Sequence, residues 1–308
     1  MHIGVFGAGL VGTGWSIVFA RGGELVRIFD ASKAARDQVL DVVAERLADL
    51  EGAGLVDDAE AILSRVEVCD DMAAVIEGAK YVQESVPERL QLKQEVSRQI
   101  SALLGPDTVV GSSTSGIPAS AFTGDLPNRE RFLVAHPVNP PYLVPVVELA
   151  PAPWTDPTAV DVAMSVMNFV GQSPILVQRE IEGFILNRLQ GVLLREAWAL
   201  LEEGYASADD IDKTVREGLG LRWSFLGPFE TIDLNAPGGV REYAEVLGPL
   251  YHSINASRSN PKLWSEGLIA KAEVEMRAKI PAEKLEERRN WRDRRLMALA
   301  AHKKAQEG

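Results

Sequence analysis

Ile3-Gly-Val-Phe6-Gly7-Ala-Gly9-Leu10-Val11-Gly12 opens the chain with a short apolar run of strand character, followed at once by closely spaced glycines and by an apolar stretch to Arg21 with helical spacing. Glycines at such a junction permit a tight turn and let a pyrophosphate approach the N-terminus of the following helix. There, unpaired N–H groups and the helix dipole favour negative charge. The glycine pattern alone is a weak signal. Its setting, with a strand before and a helix after, is stronger, and Asp30 stands at the end of the next strand candidate, 23 residues after Gly7. A carboxylate at that point accepts from both ribose hydroxyls and repels a 2′-phosphate, so the expected cofactor is NAD rather than NADP. Lys33 stands close by and works against that preference.

Outward from the glycine turn, apolar strands and amphipathic helices alternate. Ile3 to Phe6 and Leu25 to Phe29 read as strands; Leu10 to Arg21 and Ser32 to Glu51 read as helices. Further strand candidates are Val66 to Cys69, Tyr81 to Val86, Thr108 to Gly111, Phe132 to Ala135, Val146 to Leu149 and Ile175 to Gln178. Asp70, just before Met-Ala-Ala-Val-Ile, reads as a helix N-cap, and Asp156-Pro157 as a helix-opening pair. After about Arg179 the strand signal stops. Ile185, Leu186, Leu189, Val192, Leu193, Ala197, Leu200 and Leu201 then follow helical spacing to Gly204, and Ser207 starts another helix. The expected architecture is α/β, a Rossmann-type doubly wound, mainly parallel sheet followed by an all-helical C-terminal domain. Residues 1–179 would bind NAD, and residues 180–308 would bind substrate and dimerise.

The composition excludes several function classes. With 308 residues, 46% of them apolar, the chain can bury two cores, and no apolar stretch approaches a membrane span. A single cysteine, Cys69, rules out an intramolecular disulfide and a multi-thiolate metal site, so no metal is expected. With no basic region and apolar block at the start, the reading is cytoplasmic. A net charge of −12 would repel nucleic acid and anionic lipid, leaving an anionic substrate to be captured by local cations. Residues 281–308 reverse the trend with eight Lys or Arg against five acids, which reads as a solvated terminal helix.

His136-Pro-Val-Asn-Pro-Pro-Tyr142 carries one of four histidines, twelve residues before Glu148. An imidazole can act as general base on an alcohol when a buried carboxylate on its far ring nitrogen holds the tautomer. The flanking runs could be adjacent strands whose tips bring the two groups together. A loop histidine and a surface glutamate would look the same in sequence.

Taken together, Gly7-Ala-Gly-Leu-Val-Gly12, Val86-Pro-Glu88 with Lys93, Ser112-Ser-Thr-Ser115, the His136 segment, Gly183-Phe-Ile-Leu-Asn187-Arg188 and Gly218-Leu-Gly-Leu-Arg222 resemble the 3-hydroxyacyl-CoA dehydrogenase superfamily, and within it the L-gulonate 3-dehydrogenase or lambda-crystallin branch. The resemblance runs over nearly the whole chain. It implies that His136 is the general base and Glu148 its orienting partner. It also implies that Ser115 and Asn187 hydrogen-bond the reacting hydroxyl or carbonyl, and that Glu88 and Lys93 lie along the nicotinamide-ribose half of NAD. Ser112 to Ser115 could instead cap a short helix near Ile117. Asn187 shares a helical face with Gly183 and Gly191, which suits either a ligand or a close helix contact.

The acyl-CoA branch usually has two phenylalanines after the histidine and a Gly-Tyr-Pro-Met-Gly-Pro segment. Here Pro137 and Leu221-Arg222-Trp223-Ser224-Phe225-Leu226-Gly227-Pro228 stand in those places. Arg222 offers a planar fork for a free carboxylate, or else a surface ion pair with Glu217 or Glu230. The resemblance thus implies an NAD-dependent dehydrogenase of a small free 3-hydroxy acid such as L-gulonate, homodimeric through its helical domain. An acyl-CoA or L-carnitine substrate is the alternative, and a crystallin-like or NAD(H)-sensing protein is the alternative of another class.

Overall fold

Eight strands make one sheet in the computed structural model, which describes residues 2–260 and 263–306. They are β1 (His2–Phe6), β2 (Val26–Phe29), β3 (Val66–Val68), β4 (Ala79–Glu84), β5 (Val109–Ser112), β6 (Phe132–Pro137), β7 (Val146–Pro151) and β8 (Ser173–Leu176), in the order β3-β2-β1-β4-β5-β6-β7-β8. Every neighbouring pair is parallel except β6 and β7. The order reverses at β1, which lies between β2 and β4, and ligands of such sheets bind outside the carboxyl ends of the strands at that point.

Successive side chains of a strand point to opposite faces, and here both faces are covered. Ile3, Val5, Tyr81, Val109, Leu133 and Ala135 join one core with helices α1 (Leu10–Arg21), α2 (Lys33–Gly52) and α7 (Pro157–Phe169). Their neighbours Phe6, Val82, Val110 and Phe132 join another, with α4 (Met72–Ile76) and α5 (Leu90–Leu103). The short helices α3 (Ala59–Leu63) and α6 (Ser120–Thr123) complete this half. Double-sided burial explains why the strands read as continuous apolar runs.

Strand ends shift from expectation where side chains capture the backbone. β4 stops at Glu84 rather than Val86, because the Val86 amide donates to the Glu84 carboxylate at 2.7 Å. The N-cap expected at Asp70 belongs to Asp71, whose carboxylate accepts from the Ala74 amide at 2.8 Å; α4 begins one residue later than read. Asp156 does cap α7, with Pro157 in its first turn.

The chain divides into two compact units, residues 1–188 with 291–308, and residues 189–290. The division therefore falls nine residues beyond Arg179, within α8 (Leu186–Glu202), and α14 (Leu285–Gln306) returns its later part to the first unit. Met297 explains that return. It is buried in the core of α1, α2 and α7, while much of the charged remainder of its helix stays exposed.

The second unit is helical: α9 (Ala208–Lys213), α10 (Gly220–Trp223), α11 (Pro228–Asp233), α12 (Gly239–Ser257) and α13 (Glu266–Lys279) follow the rest of α8. Arg258 ties α12 to α8 by ion pairs to Glu196 (2.8 Å) and Glu203 (2.7 Å), beside the stacked rings of Trp198 and Trp264. Among its described residues few large apolar side chains are buried, and Phe229, Leu234 and Val246 are each about two-thirds exposed or more (78%, 68% and 68%). No helix among the described residues is long and apolar enough to cross a membrane.

Candidate active site

The glycines of the first turn have three separate physical reasons. Gly7 has φ +94°, a left-handed conformation, and a Cβ there would lie 2.6 Å from the Ser85 carbonyl oxygen. A Cβ on Gly12 would fall 1.8 Å from the Gly7 carbonyl oxygen, so helix and turn pack too closely for any side chain. Gly9, the N-cap of α1, has nothing within 4 Å of the corresponding point and no side chain covering the free amides of the helix. That open ground before a helix N-terminus is what a diphosphate needs. Leu10 (80% exposed) and the half-buried Val11 continue the turn.

Asp30 stands at the end of β2, with one carboxylate oxygen accepting from the Ala8 amide (2.8 Å) and the other from the Ser32 amide (2.8 Å). The aspartate is thereby pinned to the glycine turn. Lys33, which argued against NAD, is paired with Asp37 at 2.7 Å, and Arg27 with Glu67 at 3.0 Å. Arg36, which the sequence reading passed over, donates to the Asp30 carbonyl at 2.6 Å and lies over the Phe29 ring. The glycines, the open helix terminus and the carboxylate fit NAD.

Lys93, expected along the nicotinamide-ribose half of NAD, is buried beneath Glu88 rather than exposed. It is 1% exposed and its ammonium lies 3.1 Å from each carboxylate oxygen of Glu84, itself 2% exposed. Ser112 donates to the same carboxylate at 2.5 Å. A charge buried this deeply persists only when paired and hydrogen-bonded, so Lys93 and Glu84 hold the ends of β4 and β5 together. Glu84 had one available signal, an acid inside an apolar strand, and the sequence reading missed it.

Glu88 lies at the rim. Its Oε1 accepts from the Thr114 hydroxyl (2.6 Å) and from the amides of Ser115 (3.0 Å) and Gly116 (3.1 Å), and Lys93 is 3.9 Å from its other oxygen. Burial opposes ionisation of this carboxyl, but the Thr114 hydroxyl, the Lys93 charge and the two amides outweigh it and leave its pKa below the ordinary value. Glu88 therefore shapes the loop that carries Ser115. Ser112 to Ser115 do not cap a helix, since α6 begins only at Ser120 and has no side-chain cap.

The antiparallel register of β6 and β7 sets His136 opposite Glu148, and His136 Nδ1 lies 2.7 Å from Glu148 Oε2. The remaining oxygen of Glu148, which is fully buried, accepts from the amides of Ile185 (2.8 Å) and Leu186 (2.9 Å) where α8 begins. Burial raises the cost of ionising Glu148, yet the His136 hydrogen bond and the Leu186 and Ile185 amides prevail, so its pKa is depressed. An ionised carboxylate only accepts, hence Nδ1 carries a proton, and in the neutral ring this tautomer puts the lone pair on Nε2. Phe184 packs its fully buried ring 5.7 Å from the imidazole. Its φ of +47°, after Gly183 at +73°, turns the chain so that the first amides of α8 meet Glu148. Such a conformation in a non-glycine residue costs on the order of 1–2 kcal/mol.

Asn187 follows on the same turn and donates to the Ser115 carbonyl oxygen at 2.6 Å, so the loop after β5 and the start of α8 meet. Gly183 precedes the helix and serves this turn rather than sharing a helical face with Asn187, and Gly191 has nothing within 4 Å of a would-be Cβ. Arg222 belongs to the helical unit. It is exposed, and among the described residues it makes no ion pair; Glu217 is taken by Arg216 at 2.6 Å. A π-helical stretch, Thr214–Leu219, leads into its helix, a form often found at functional sites.

The model of the 3-hydroxyacyl-CoA dehydrogenase NAD-binding domain matches residues 2–181, and that of the 3-hydroxyacyl-CoA dehydrogenase C-terminal domain matches residues 183–279. The chain belongs to the 3-hydroxyacyl-CoA dehydrogenase family. As a family member it is similar to lambda-crystallin of Oryctolagus cuniculus, 38% identical over 306 residues, covering 97% of this chain and 95% of that one. It is similar also to L-carnitine dehydrogenase of Pseudomonas sp, 34% identical with 97% and 93% covered. Among solved structures, 5-formyl-3-hydroxy-2-methylpyridine 4-carboxylic acid 5-dehydrogenase, described as an NAD+-dependent dismutase, superposes with TM-score 0.84 at 28% identity, covering 100% of this chain and 98% of that one. This family member is thus an NAD-dependent oxidoreductase with a Rossmann-like sheet and a helical C-terminal part.

Proposed function

We propose that the protein interconverts a small free 3-hydroxy acid, such as L-gulonate, and its 3-oxo acid. The observation that carries this reading is the His136–Glu148 pair, with Nδ1 committed to a buried, doubly capped carboxylate. NAD, when bound, accepts the hydride from the substrate carbon in oxidation and supplies it in reduction. In oxidation His136 Nε2 takes the hydroxyl proton, and Glu148 stabilises the imidazolium that results. In reduction the same nitrogen returns the proton. Ser115 and Asn187 hold the substrate oxygen and stabilise negative charge as it develops there. Glu88 keeps the Ser115 loop in place, and the buried Lys93 acts through Glu84 and Glu88 on the nicotinamide side of the cleft.

Arg222 is assigned to the substrate carboxylate. An exposed guanidinium with no ion pair among the described residues is available for a bidentate anion. The name of the pyridine-carboxylic acid dehydrogenase supports a carboxylate-bearing substrate. The competing reading, an acyl-CoA thioester, draws on the relative named 3-hydroxyacyl-CoA dehydrogenase, 33% identical over 306 residues. We assign the protein to the cytoplasm as a homodimer, with the exposed Phe229, Leu234 and Val246 of the helical unit covered by a second copy.

Initial rates of NADH formation with L-gulonate, L-3-hydroxybutyrate, L-carnitine and 3-hydroxybutyryl-CoA, on the parent protein and on Arg222→Ala, test the reading. The free acids are preferred, and Arg222→Ala lowers their kcat/KM by about 30-fold or more, as loss of a charge-assisted pair demands. A dominant CoA thioester indifferent to Arg222 overturns the substrate class. No activity on any of them favours a crystallin-like or sensing role.

A further inference from the structure

Behind the glycine turn lies a hydrogen-bond network that the chemistry above does not use. Ser113 Oγ is 3.0 Å from the indole nitrogen of the fully buried Trp15, 2.7 Å from Gln83 Nε2 and 2.8 Å from Ser85 Oγ. The Gln83 amide has one orientation: its nitrogen also lies 3.1 Å from the Ala135 carbonyl oxygen, which can only accept, and its oxygen accepts from the Tyr81 hydroxyl at 2.8 Å. Burial raises the Tyr81 pKa, so that phenol stays a donor.

The protons can then be counted. Trp15 and Gln83 both donate to Ser113, filling its two acceptor positions, and the Ser113 hydroxyl hydrogen must go to Ser85. Ser85 accepts that bond and keeps its own hydrogen. Among the described residues no acceptor takes it. Ser85 is half-buried and borders the glycine turn. Its carbonyl oxygen is the atom that excludes a side chain from Gly7, and its Cβ would stand 3.5 Å from a Cβ on Gly12. A donor with its hydrogen left over, beside the glycine turn at the switch point of the sheet, is available to a ligand oxygen bound there.

We propose that the Ser85 hydroxyl donates to an oxygen of the diphosphate–ribose segment on the nicotinamide side of NAD. The network beneath it, Trp15, Gln83 and Ser113, sets the direction of that donation before the cofactor arrives, so little orientation entropy is lost on binding. This inference rests on the cofactor and not on the substrate proposed above.

Calorimetric titration with NADH, ADP-ribose and AMP tests it. Ser85→Ala weakens NADH and ADP-ribose by about tenfold, the scale of one hydrogen bond to a charged acceptor, and leaves AMP within twofold. Ser85→Thr keeps the hydroxyl and holds NADH within about threefold of the parent. The proposal is overturned if Ser85→Ala binds NADH as the parent does, if AMP weakens equally, or if Ser85→Thr loses as much as Ser85→Ala.

Discussion

Glu148 faces His136 across an antiparallel strand pair with one carboxylate oxygen and receives the first amides of α8 with the other. A single buried side chain therefore orients the imidazole and anchors the helix that carries Asn187. Two consequences can be separated by mutation. His136→Ala lowers turnover by about two to four orders of magnitude while NADH binding survives, because the imidazole supports proton transfer alone. Glu148→Gln lowers turnover on a similar scale and also lowers the melting temperature, since one amide face of Gln must confront either the α8 amides or Nδ1–H. Steady-state rates, NADH titration and thermal melts check both. His136→Ala turnover within a few-fold of the parent would remove the proposed mechanism.

Glu88 provides a pH test. Its folded pKa lies below the ordinary carboxylate value, so the unfolded chain binds the proton more readily. The stability this group contributes is present above the unfolded pKa, about 4.3, and is lost as pH falls through the depressed folded value. Glu88→Gln is expected to cost about 1 kcal/mol at pH 7, a figure kept small because the side chain is partly solvated. Urea unfolding from pH 7 down to pH 3 should show the gap between parent and mutant closing below about pH 4. A gap that stays constant across the range contradicts the assignment.

The glycine turn separates packing from ligand approach. Gly12→Ala forces a Cβ to 1.8 Å from a carbonyl oxygen, and the backbone must move. A fall of ~5 °C or more in melting temperature follows. Gly9→Ala meets nothing within 4 Å and should melt near the parent temperature, yet bind NADH on the order of tenfold more weakly. Parallel melts and titrations decide it; unchanged NADH affinity in Gly9→Ala would mean that the diphosphate passes elsewhere.

Asp30 predicts cofactor choice. Parent protein binds NADH much more tightly than NADPH, and Asp30→Ala narrows the difference by removing the charge that opposes a 2′-phosphate. Lys33 and Arg27 are held by acids of their own, which leaves Arg36 as the cation to replace next if the parent protein fails to discriminate.

Local chemistry determined a large part of the molecule from the sequence. The glycine turn, the helix from Leu10 to Arg21, the helix starts near Ser32, Asp156 and Ser207 and the alternation of strands with helices were legible, because each depends on backbone geometry over a few residues. His136 and Glu148 were legible as candidates, twelve residues apart, but a loop histidine and a surface glutamate would have read alike. Only the register of β6 and β7 made them partners. The same holds for Lys93, whose partner Glu84 lies across a turn; for Asn187, which reaches back 72 residues to Ser115; and for Met297, which draws the end of the chain onto the first core. These contacts depend on which strand lies beside which and where a helix docks. Such choices minimise buried, unpaired polarity over the whole fold, and no short window of sequence contains them.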